Sequence, residues 1–145
     1  MSSSRLIFTT TSVAEWDKKI AAGLRQTCKR LSGIHEDFRT HSIYAKFDEI
    51  FAGGITFEQR GNILWLDALW VEPNFRNHGT GKQLMEKVIQ FSVQNNVKEI
   101  QLNTYFPDAH AFFLVQGFED VAVIPNWKYG LDCYMMRKKI CPPKL

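Results

Sequence analysis

The sequence predicts one mixed α/β domain, in which an antiparallel meander is followed by a strand–helix–strand crossover. Three observations predict it: the hydrophobic period alternates between that of strands and that of helices, the apolar run ILWLDALWV spans residues 63–71, and two glycines, Gly79 and Gly81, precede a helix-like segment. A strand, a helix and a second strand in succession favour a parallel, right-handed crossover. A length of 145 residues suits a single domain with one core. We therefore assign residues 1–145 to one domain, with 1–4 and 141–145 as loose termini.

The first half of the chain predicts two strands that form a hairpin, preceded by a short strand and a helix. The helix is indicated by apolar residues that recur at three- and four-residue steps, and the hairpin by a break at Asp48 and Glu49 between two alternating stretches. The predicted elements in order are a strand at 6–10, a helix from Val13 to about Leu31, a loop at 32–41, strands at 42–47 and 51–59, and a turn at 60–62.

The second half begins with the apolar run at 63–71, which carries one charge, Asp67. A run that is apolar at both odd and even positions indicates a strand buried on both faces, near the centre of a sheet. The elements predicted after it are a helix from Thr80 to about Asn95, a strand at 99–105, a helix from Ala109 to Gln116 opened by Pro107 and Asp108, and strands at 118–124 and 131–138 joined by a turn at 125–130.

Composition excludes several classes of function. The formal net charge of +3 is too small to indicate a nucleic-acid partner. No apolar run reaches the ~20 residues that a membrane span needs, and the N-terminus lacks the apolar region of a signal peptide. Cys28, Cys133 and Cys141 form no CxxC pair and no Cys/His cluster, which indicates reduced thiols, a cytoplasmic protein and no metal site.

The turn between the apolar strand and the long helix has the features of an anion site. Gly79 and Gly81 have no Cβ, so the backbone can turn tightly and bring its N–H groups close to a ligand. The start of a helix adds N–H groups without partners and a partial positive charge. Arg76, His78 and Lys82 flank the same turn. Together these features favour phosphate or pyrophosphate as the ligand.

Two familiar phosphate motifs do not match this turn. A P-loop requires glycine at position 76 and serine or threonine at 83, where this chain has Arg76 and Gln83. The dinucleotide-binding fingerprint requires a third glycine at the position of Leu84. For the two glycines alone, an ordinary strand-to-helix turn remains an open interpretation.

The residues around the glycines make the match more specific. The pattern V-x-P-x-x-R-x-x-G-x-G, formed by Val71, Pro73, Arg76, Gly79 and Gly81, resembles the pyrophosphate-binding motif of the GNAT superfamily of acetyl-CoA-dependent N-acetyltransferases. The segment AHAFFLVQGFED is similar to the A-x-x-F-Y-x-x-x-G-F pattern of that family. The resemblance covers residues 43–140 in the right order and is strongest to small bacterial GNAT proteins.

This resemblance implies a GNAT fold: a mixed sheet of six to seven strands flanked by helices, with two parallel strands that splay apart to admit acetyl-CoA. The implied cofactor-binding residues are Leu69, Trp70 and Val71 beside the pantetheine arm, Arg76, Asn77, His78, Gly79, Thr80, Gly81 and Lys82 around the pyrophosphate, and Asp108, Phe112 and Phe113 on the opposite side. For Trp70 ordinary core packing is an alternative, and only its backbone carries the functional expectation.

The catalytic groups are less well determined than the cofactor loop. A carboxylate within an apolar strand is costly unless it is paired, so burial would make Asp67 a better general base, while structural pairing remains an alternative. Glu58 and Glu72 are further candidates for the base. The family often has tyrosine at the position of Phe113, and phenylalanine cannot protonate a leaving thiolate.

Other groups could take the place of the missing tyrosine. Tyr105 and Tyr134 are candidates for the proton donor, although either could be structural. His78 and His110 are either anion contacts or solvated surface residues.

The expected function is transfer of an acetyl group from acetyl-CoA to a primary amine of a small molecule or peptide by direct attack, without a metal. The alternative is a catalytically weak module of GNAT fold that binds CoA and regulates. We expect neither a nucleic-acid nor a membrane partner, and a homodimer is left open. The sequence does not name the acceptor amine.

Overall fold

A computed structural model of the chain describes residues 4–33 and 39–141. The chain divides into two compact units, residues 1–36 and 37–145. The predicted loose termini lie mostly outside the described residues, as do residues 34–38 of the predicted loop at 32–41. The remainder of that loop prediction is wrong at both ends, because Ser32 is the last residue of a helix and residues 39–41 begin a strand.

In the described part of the first unit, residues 4–33, there is one helix, α1 (Ala14–Ser32). The helix predicted from Val13 to Leu31 is therefore confirmed. It ends at Gly33, whose left-handed backbone (φ 71°) lets its N–H donate to the carbonyl of Lys29 at 2.8 Å. The strand predicted at 6–10 is wrong, because these residues have no regular structure and none of the six described strands pairs with them. An apolar stretch becomes a strand only when its backbone groups find a partner.

The second unit is built on a six-stranded mixed sheet with the spatial order β1-β2-β3-β4-β6-β5. Only β3 and β4 run parallel, as the crossover predicted, and the other neighbours are antiparallel. The strands are β1 (Arg39–Phe47), β2 (Ile50–Arg60), β3 (Ile63–Val71), β4 (Glu99–Thr104), β5 (Glu119–Lys128) and β6 (Leu131–Lys139).

Three further elements connect these strands: the short 3-10 helix η1 (Pro73–Phe75), α2 (Thr80–Gln94) and α3 (Pro107–Val115). The mixed α/β class and the count of six strands confirm the prediction.

The last hairpin differs from its prediction. Residues 125–128, predicted as part of a turn, continue β5, and the turn is at Tyr129 and Gly130, both with positive φ. The pairing of β5 with β6 is irregular between Ile124 and Lys128, which accommodates Pro125 because proline lacks the N–H that a ladder needs. The carboxylate of Asp132 accepts a hydrogen bond of 3.0 Å from the backbone of Asn126 and supports the end of the hairpin.

One hydrophobic core joins the sheet to α2 and α3. Residues of β2, β3, β4 and both helices form a continuous buried cluster, in which Leu64, Met85, Val88 and Ile100 have no exposed surface. The stripe of α2 that the helical period predicted is thus the face that packs on the sheet. This core holds the start of α2 beside the end of β3.

The prediction that β3 is buried on both faces is wrong. Leu64 and Leu66 are buried, but Asp67, Ala68 and Trp70 are exposed. Aliphatic and aromatic residues on the second face of a strand do not by themselves show that an element covers it.

A β-bulge at Asp67 explains the burial pattern of β3. The partner of Thr56 is Ala68 and the partner of Phe57 is Leu66, so Asp67 is the extra residue with no partner on β2. The bulge shifts the alternation by one residue: Leu64 and Leu66 point into the core before it, and Leu69 and Val71 pack against the core after it. A bulge of this kind bends the strand and increases its twist.

Gly53 and Gly54 of β2 test how closely β2 approaches its neighbouring strands. A Cβ on Gly53 would lie 2.5 Å from the carbonyl oxygen of Trp70, a backbone atom that cannot move without breaking the ladder. We expect Gly53→Ala to lower the free energy of unfolding by about 1–3 kcal/mol, the usual cost of overpacking.

Gly54→Ala is the matched control, since its Cβ would meet the mobile ring of Tyr44 at 3.1 Å and the carbonyl oxygen of Ile43 at 3.2 Å. Denaturant unfolding should show a smaller loss for Gly54→Ala than for Gly53→Ala. Equal losses would contradict the close approach of β2 and β3.

Candidate functional site

A cleft opens where the parallel strands β3 and β4 separate. Their pairing includes only three residue pairs, the last between Trp65 and Gln101. Beyond that pair, the C-terminal halves of both strands line a cleft with a volume of about 820 Å³. Because the two strands no longer bond to each other there, the backbone groups that face the gap can bond to a ligand.

The cleft is lined by four parts of the second unit. The end of β3 forms one side, the end of β4 the other, and the loop before α2 and the first turns of α3 complete it. The lining residues are Leu66, Asp67, Ala68, Leu69, Trp70, Val71, Phe75, Arg76, Asn77, Gly79, Thr80, Gly81, Lys82, Leu102, Asn103, Thr104, Tyr105, Phe106, Asp108, Ala109, Phe112 and Phe113.

The loop before α2 turns by means of two residues in the left-handed region, Asn77 (φ 64°) and Gly79 (φ 81°). Gly79 is the N-cap of α2 and has no side chain with which to bond the helix N–H groups. The first intrahelical bond runs from the N–H of Gln83 to the carbonyl of Gly79 at 2.9 Å. The N–H groups of Thr80, Gly81 and Lys82 precede it and have no acceptor within the helix. This end of α2 is therefore suited to an anion.

Gly81 lets α2 and α3 approach each other beside the cleft. A Cβ at this position would lie 3.4 Å from two ring atoms of Phe112 and 3.9 Å from a methyl group of Val71. Gly81, which was predicted to bring the backbone close to a ligand, thus also lets α2 approach the ring of Phe112 on α3. A larger side chain here would fill part of the space between the helices.

Arg76 connects the loop to the end of β3. Its Nε donates a hydrogen bond of 2.8 Å to the carbonyl of Val71, and its guanidinium carbon lies 4.7 Å from the centre of the Trp70 ring. Arginine commonly stacks on tryptophan in this way, because the ring face is electronegative. The side chain is thus held against the strand that borders the cleft.

The candidate carboxylates lie in different settings. Asp67 lines the cleft at the bulge, where it is exposed and accepts a hydrogen bond of 3.4 Å from the hydroxyl of Thr56. The expectation that burial makes Asp67 a stronger base is therefore wrong, because Asp67 follows the buried Leu66 and lies on the face of β3 that the core does not cover. Glu58 is paired with Arg60 at 2.9 Å and does not line the cleft, and neither does Glu72.

The candidate tyrosines also differ in position. Tyr105 lines the cleft, with its ring 4.6 Å from that of Phe106 and 6.4 Å from that of Tyr129. Tyr134 does not line it; its ring stacks on His110 at 3.6 Å.

His110 anchors α3 to the sheet. Its Nε2 lies 2.9 Å and 3.0 Å from the two carboxylate oxygens of Asp120 on β5, while its ring stacks on Tyr134 of β6. The surface or anion-contact roles expected for His110 are replaced by this packing role. His78 does not line the cleft.

Phe113 is a core residue, with only 5% of its surface exposed. Its ring lies 5.3 Å from those of Phe112 and Phe118, in edge-to-face arrangements. Phe112 and Phe113 both line the cleft, and Phe113 and Phe118 also belong to the core that joins α3 to the sheet.

The structure brings together nearly all the predicted cofactor-binding residues, and also Asp67 and Tyr105. Sequence analysis missed lining residues at the end of β4 and in η1, among them Phe75, Asn103, Thr104 and Phe106. The polar pair Asn103 and Thr104 at the C-terminal end of a strand that leads into a helix is a signal that could have indicated them.

Residues 4–33 and 39–141 carry no sign of two further classes of site, a metal centre and a membrane span. In this part of the chain, no three His, Cys, Asp or Glu side chains are grouped so that they could hold a metal ion. None of the helices described there is both long and apolar enough to cross a membrane.

Comparison with known proteins connects this geometry to a family. The sequence profile of the acetyltransferase (GNAT) family matches residues 10–118, which is most of the chain. A search of the curated proteins finds no match.

Solved structures share the fold. An acetyltransferase from Bacillus cereus ATCC 14579 superimposes with a TM-score of 0.82 at 19% identity, over 92% of this chain and 97% of that one. The ribosomal-protein-S18-alanine N-acetyltransferase of Escherichia coli has a TM-score of 0.66 at 17% identity, over 92% and 94%. An aminoglycoside 6'-N-acetyltransferase complexed with coenzyme A has a TM-score of 0.63 at 19% identity, over 73% and 76%. At such identities the likeness concerns the fold, which is the GNAT fold that the resemblance implied.

The burial of Phe113 provides a test. Phe113 is almost fully buried, and a tyrosine hydroxyl buried there without a partner would be costly, so we expect Phe113→Tyr to lower the free energy of unfolding by about 1–3 kcal/mol. Phe112→Tyr, at a half-buried neighbour that borders the cleft, is the matched control and should cost less. Thermal or denaturant unfolding of both variants measures this, and an equal or smaller loss for Phe113→Tyr would show that the hydroxyl reaches the cleft.

Proposed function

The chain belongs to the acetyltransferase (GNAT) family, and we propose that it transfers an acetyl group from acetyl-CoA to a primary amine by direct attack. The observation that carries this proposal is the cleft between β3 and β4, which begins where their pairing stops and ends at the anion-binding turn of α2. An extended ligand with a negatively charged end matches such a cleft. A simple phosphate would not need the open space between the strands.

The residues of the cleft fit coenzyme A part by part. The N–H groups of Thr80, Gly81 and Lys82 would bind its diphosphate, with the helix dipole and the Lys82 ammonium adding positive charge. The pantetheine arm would bond to the backbone of residues 69–71, which have no partner on β4. Phe112 and Asp108 would border it from α3. We expect no metal in this reaction.

Bound acetyl-CoA supplies a thioester whose acetyl carbon is attacked by the amine, with the thiol of CoA as the leaving group. The amine must lose a proton to attack, so a base or a water next to it is needed. Two carboxylates border the cleft, Asp67 and Asp108, and Asp67 is the one on the open side of β3, next to the hydroxyl of Thr56. We propose that it receives this proton directly or through water, or holds the ammonium group before its proton is lost.

The leaving thiolate needs a proton, or must leave without one. Phe113 cannot donate a proton. The ring of Tyr134 stacks on that of His110 and does not line the cleft. Tyr105, which borders the cleft, is the proposed donor. A thiol with an ordinary pKa near ~8.5 is also a tolerable leaving group at neutral pH, so the donor contributes to the rate without being indispensable.

The acceptor is proposed only as a class. Structural relatives include an N-acetyltransferase of a protein alanine and one of aminoglycosides, so this fold serves both peptide and small-molecule amines. We propose a primary amine of either kind, in a cytoplasmic setting, with or without dimerisation of the chain. The second candidate function is a CoA-binding regulatory module, which is favoured by the buried phenylalanine at position 113.

Turnover with a panel of amines separates the two candidates. We expect the protein to release the thiol of CoA from acetyl-CoA when a suitable amine is added. CoA binding measured by calorimetry without turnover by any peptide or small-molecule amine would favour the regulatory module. Absence of CoA binding would overturn both.

The turn before α2 is tested by two substitutions at one position. Gly79 has a left-handed backbone and open space around it, so asparagine, which tolerates this conformation, should leave CoA affinity within roughly threefold. Gly79→Glu adds a negative charge at the start of α2, and we expect CoA binding to fall at least roughly a hundredfold because the carboxylate repels the diphosphate. Gly81→Glu should have the same effect. Calorimetry that gives equal affinities for Gly79→Asn and Gly79→Glu would contradict the proposed diphosphate site.

Asp67→Asn tests the role of the bulge carboxylate. We expect kcat to fall roughly tenfold to a hundredfold while the affinity for CoA stays nearly unchanged, because the amide cannot accept the proton. Glu58→Gln is the control, since Glu58 is paired with Arg60 outside the cleft, and it should reduce kcat by less than Asp67→Asn does. Equal losses of turnover and CoA affinity in Asp67→Asn would assign Asp67 a structural role instead.

A further inference from the structure

We propose that the side chain of Trp70 is a positioning residue for the cofactor: its indole ring orients Arg76, so that the guanidinium group faces the diphosphate of coenzyme A. Two roles are expected for Trp70 from the sequence, core packing by its side chain and ligand binding by its backbone. The structure indicates a third role, which belongs to the side chain. This inference rests on the proposed function, because it concerns the same cofactor.

The position of Trp70 does not fit core packing. Its neighbours Leu69 and Val71 pack against the hydrophobic core, whereas Trp70 is 53% exposed. The bulge at Asp67 brings about this arrangement, because it determines which of the residues that follow it in β3 face the core. A large aromatic side chain that lies outside the core and lines the cleft needs another explanation.

Arg76 provides that explanation, because it is held at two points. The hydrogen bond from Nε to the carbonyl of Val71 fixes one edge of the guanidinium, at 2.8 Å. The Trp70 ring, 4.7 Å from the guanidinium carbon, restricts rotation about that bond. A hydrogen bond alone would leave the plane of the group free to turn.

The two restraints leave the other edge of the guanidinium for a ligand. Arginine has five N–H donors, of which Nε carries one and the two terminal nitrogens carry four. Arg76 lines the same cleft as the start of α2. A planar group with parallel donors binds phosphate oxygens in pairs, so its orientation affects affinity more than that of a lysine would.

This arrangement predicts that Trp70 and Arg76 act as one unit. If the ring works by orienting the guanidinium, then removing either side chain removes the same contribution, and removing both costs no more. If Trp70 packs and Arg76 acts as a simple charge, the two losses are independent and add. A double-mutant cycle on CoA affinity separates these cases.

The cycle uses Trp70→Leu, Arg76→Lys and the double variant, with affinity for CoA measured by calorimetry. Leucine retains apolar bulk without an aromatic face, and lysine retains the charge without the planar fork. We expect each single variant to weaken CoA binding roughly three- to tenfold, and the double variant to be no weaker than the weaker single one within about twofold. Trp70→Phe, which keeps an aromatic face, should remain within about twofold of the unchanged protein.

Two controls separate positioning from general damage. Trp127, which is 47% exposed on β5 and does not line the cleft, is the matched tryptophan, and Trp127→Leu should leave CoA affinity unchanged. Pantetheine, which has no diphosphate, is the matched ligand, and Trp70→Leu should change its affinity by less than about twofold. Circular dichroism and thermal unfolding confirm that each variant is folded.

The possible outcomes distinguish a failure of the proposed function from a failure of the positioning role of Trp70. If the unchanged protein does not bind CoA, the proposed function itself fails. If it binds CoA but Trp70→Leu binds equally well, or the losses in the cycle add, or pantetheine loses as much affinity as CoA, the positioning role of Trp70 is overturned while the proposed function stands. Failure of Trp70→Phe to retain affinity would likewise overturn it, because an aromatic face would then not be what matters.

Discussion

The short parallel ladder between β3 and β4 is the constraint on which the site depends. Three residue pairs hold the two strands together at one end, and the core formed with α2 and α3 holds them on one face. Beyond Trp65 and Gln101 the strands separate, and their backbone groups are left to a ligand. The same separation sets where the N-terminus of α2 lies, because α2 follows the end of β3 through a short loop.

The bulge at Asp67 is the local irregularity that determines which side chains at the end of β3 face the core. One extra residue shifts the alternation from Ala68 onward, so Leu69 and Val71 pack on the core while Ala68 and Trp70 are exposed. A regular strand of the same sequence would direct these residues the other way, whereas Asp67, next to the buried Leu66, would be exposed in either case. The bulge therefore exposes the ring that lies against Arg76.

The turn before α2, the separated ends of β3 and β4, and the phenylalanines of α3 line one continuous cleft because these elements pack on the same core. Gly81 allows α2 to approach Phe112, and Phe113 joins α3 to the core instead of offering a hydroxyl to the site. If the chain transfers an acetyl group as we propose, Phe113 cannot protonate the leaving thiolate. Tyr105, which follows β4 and lines the cleft, is the proton donor that we propose instead.

The sequence by itself determined the α/β class, the long helix, the central strand and the turn with Gly79 and Gly81, because hydrophobic period and glycine chemistry act over a few neighbouring residues. It did not determine that residues 6–10 form no strand, that Asp67 and Trp70 are exposed, or that β5 continues to Lys128. These features follow from which strands pair and in which register, and pairing joins residues far apart in the chain. Only the tertiary structure decided them, and with them which side chains border the cleft.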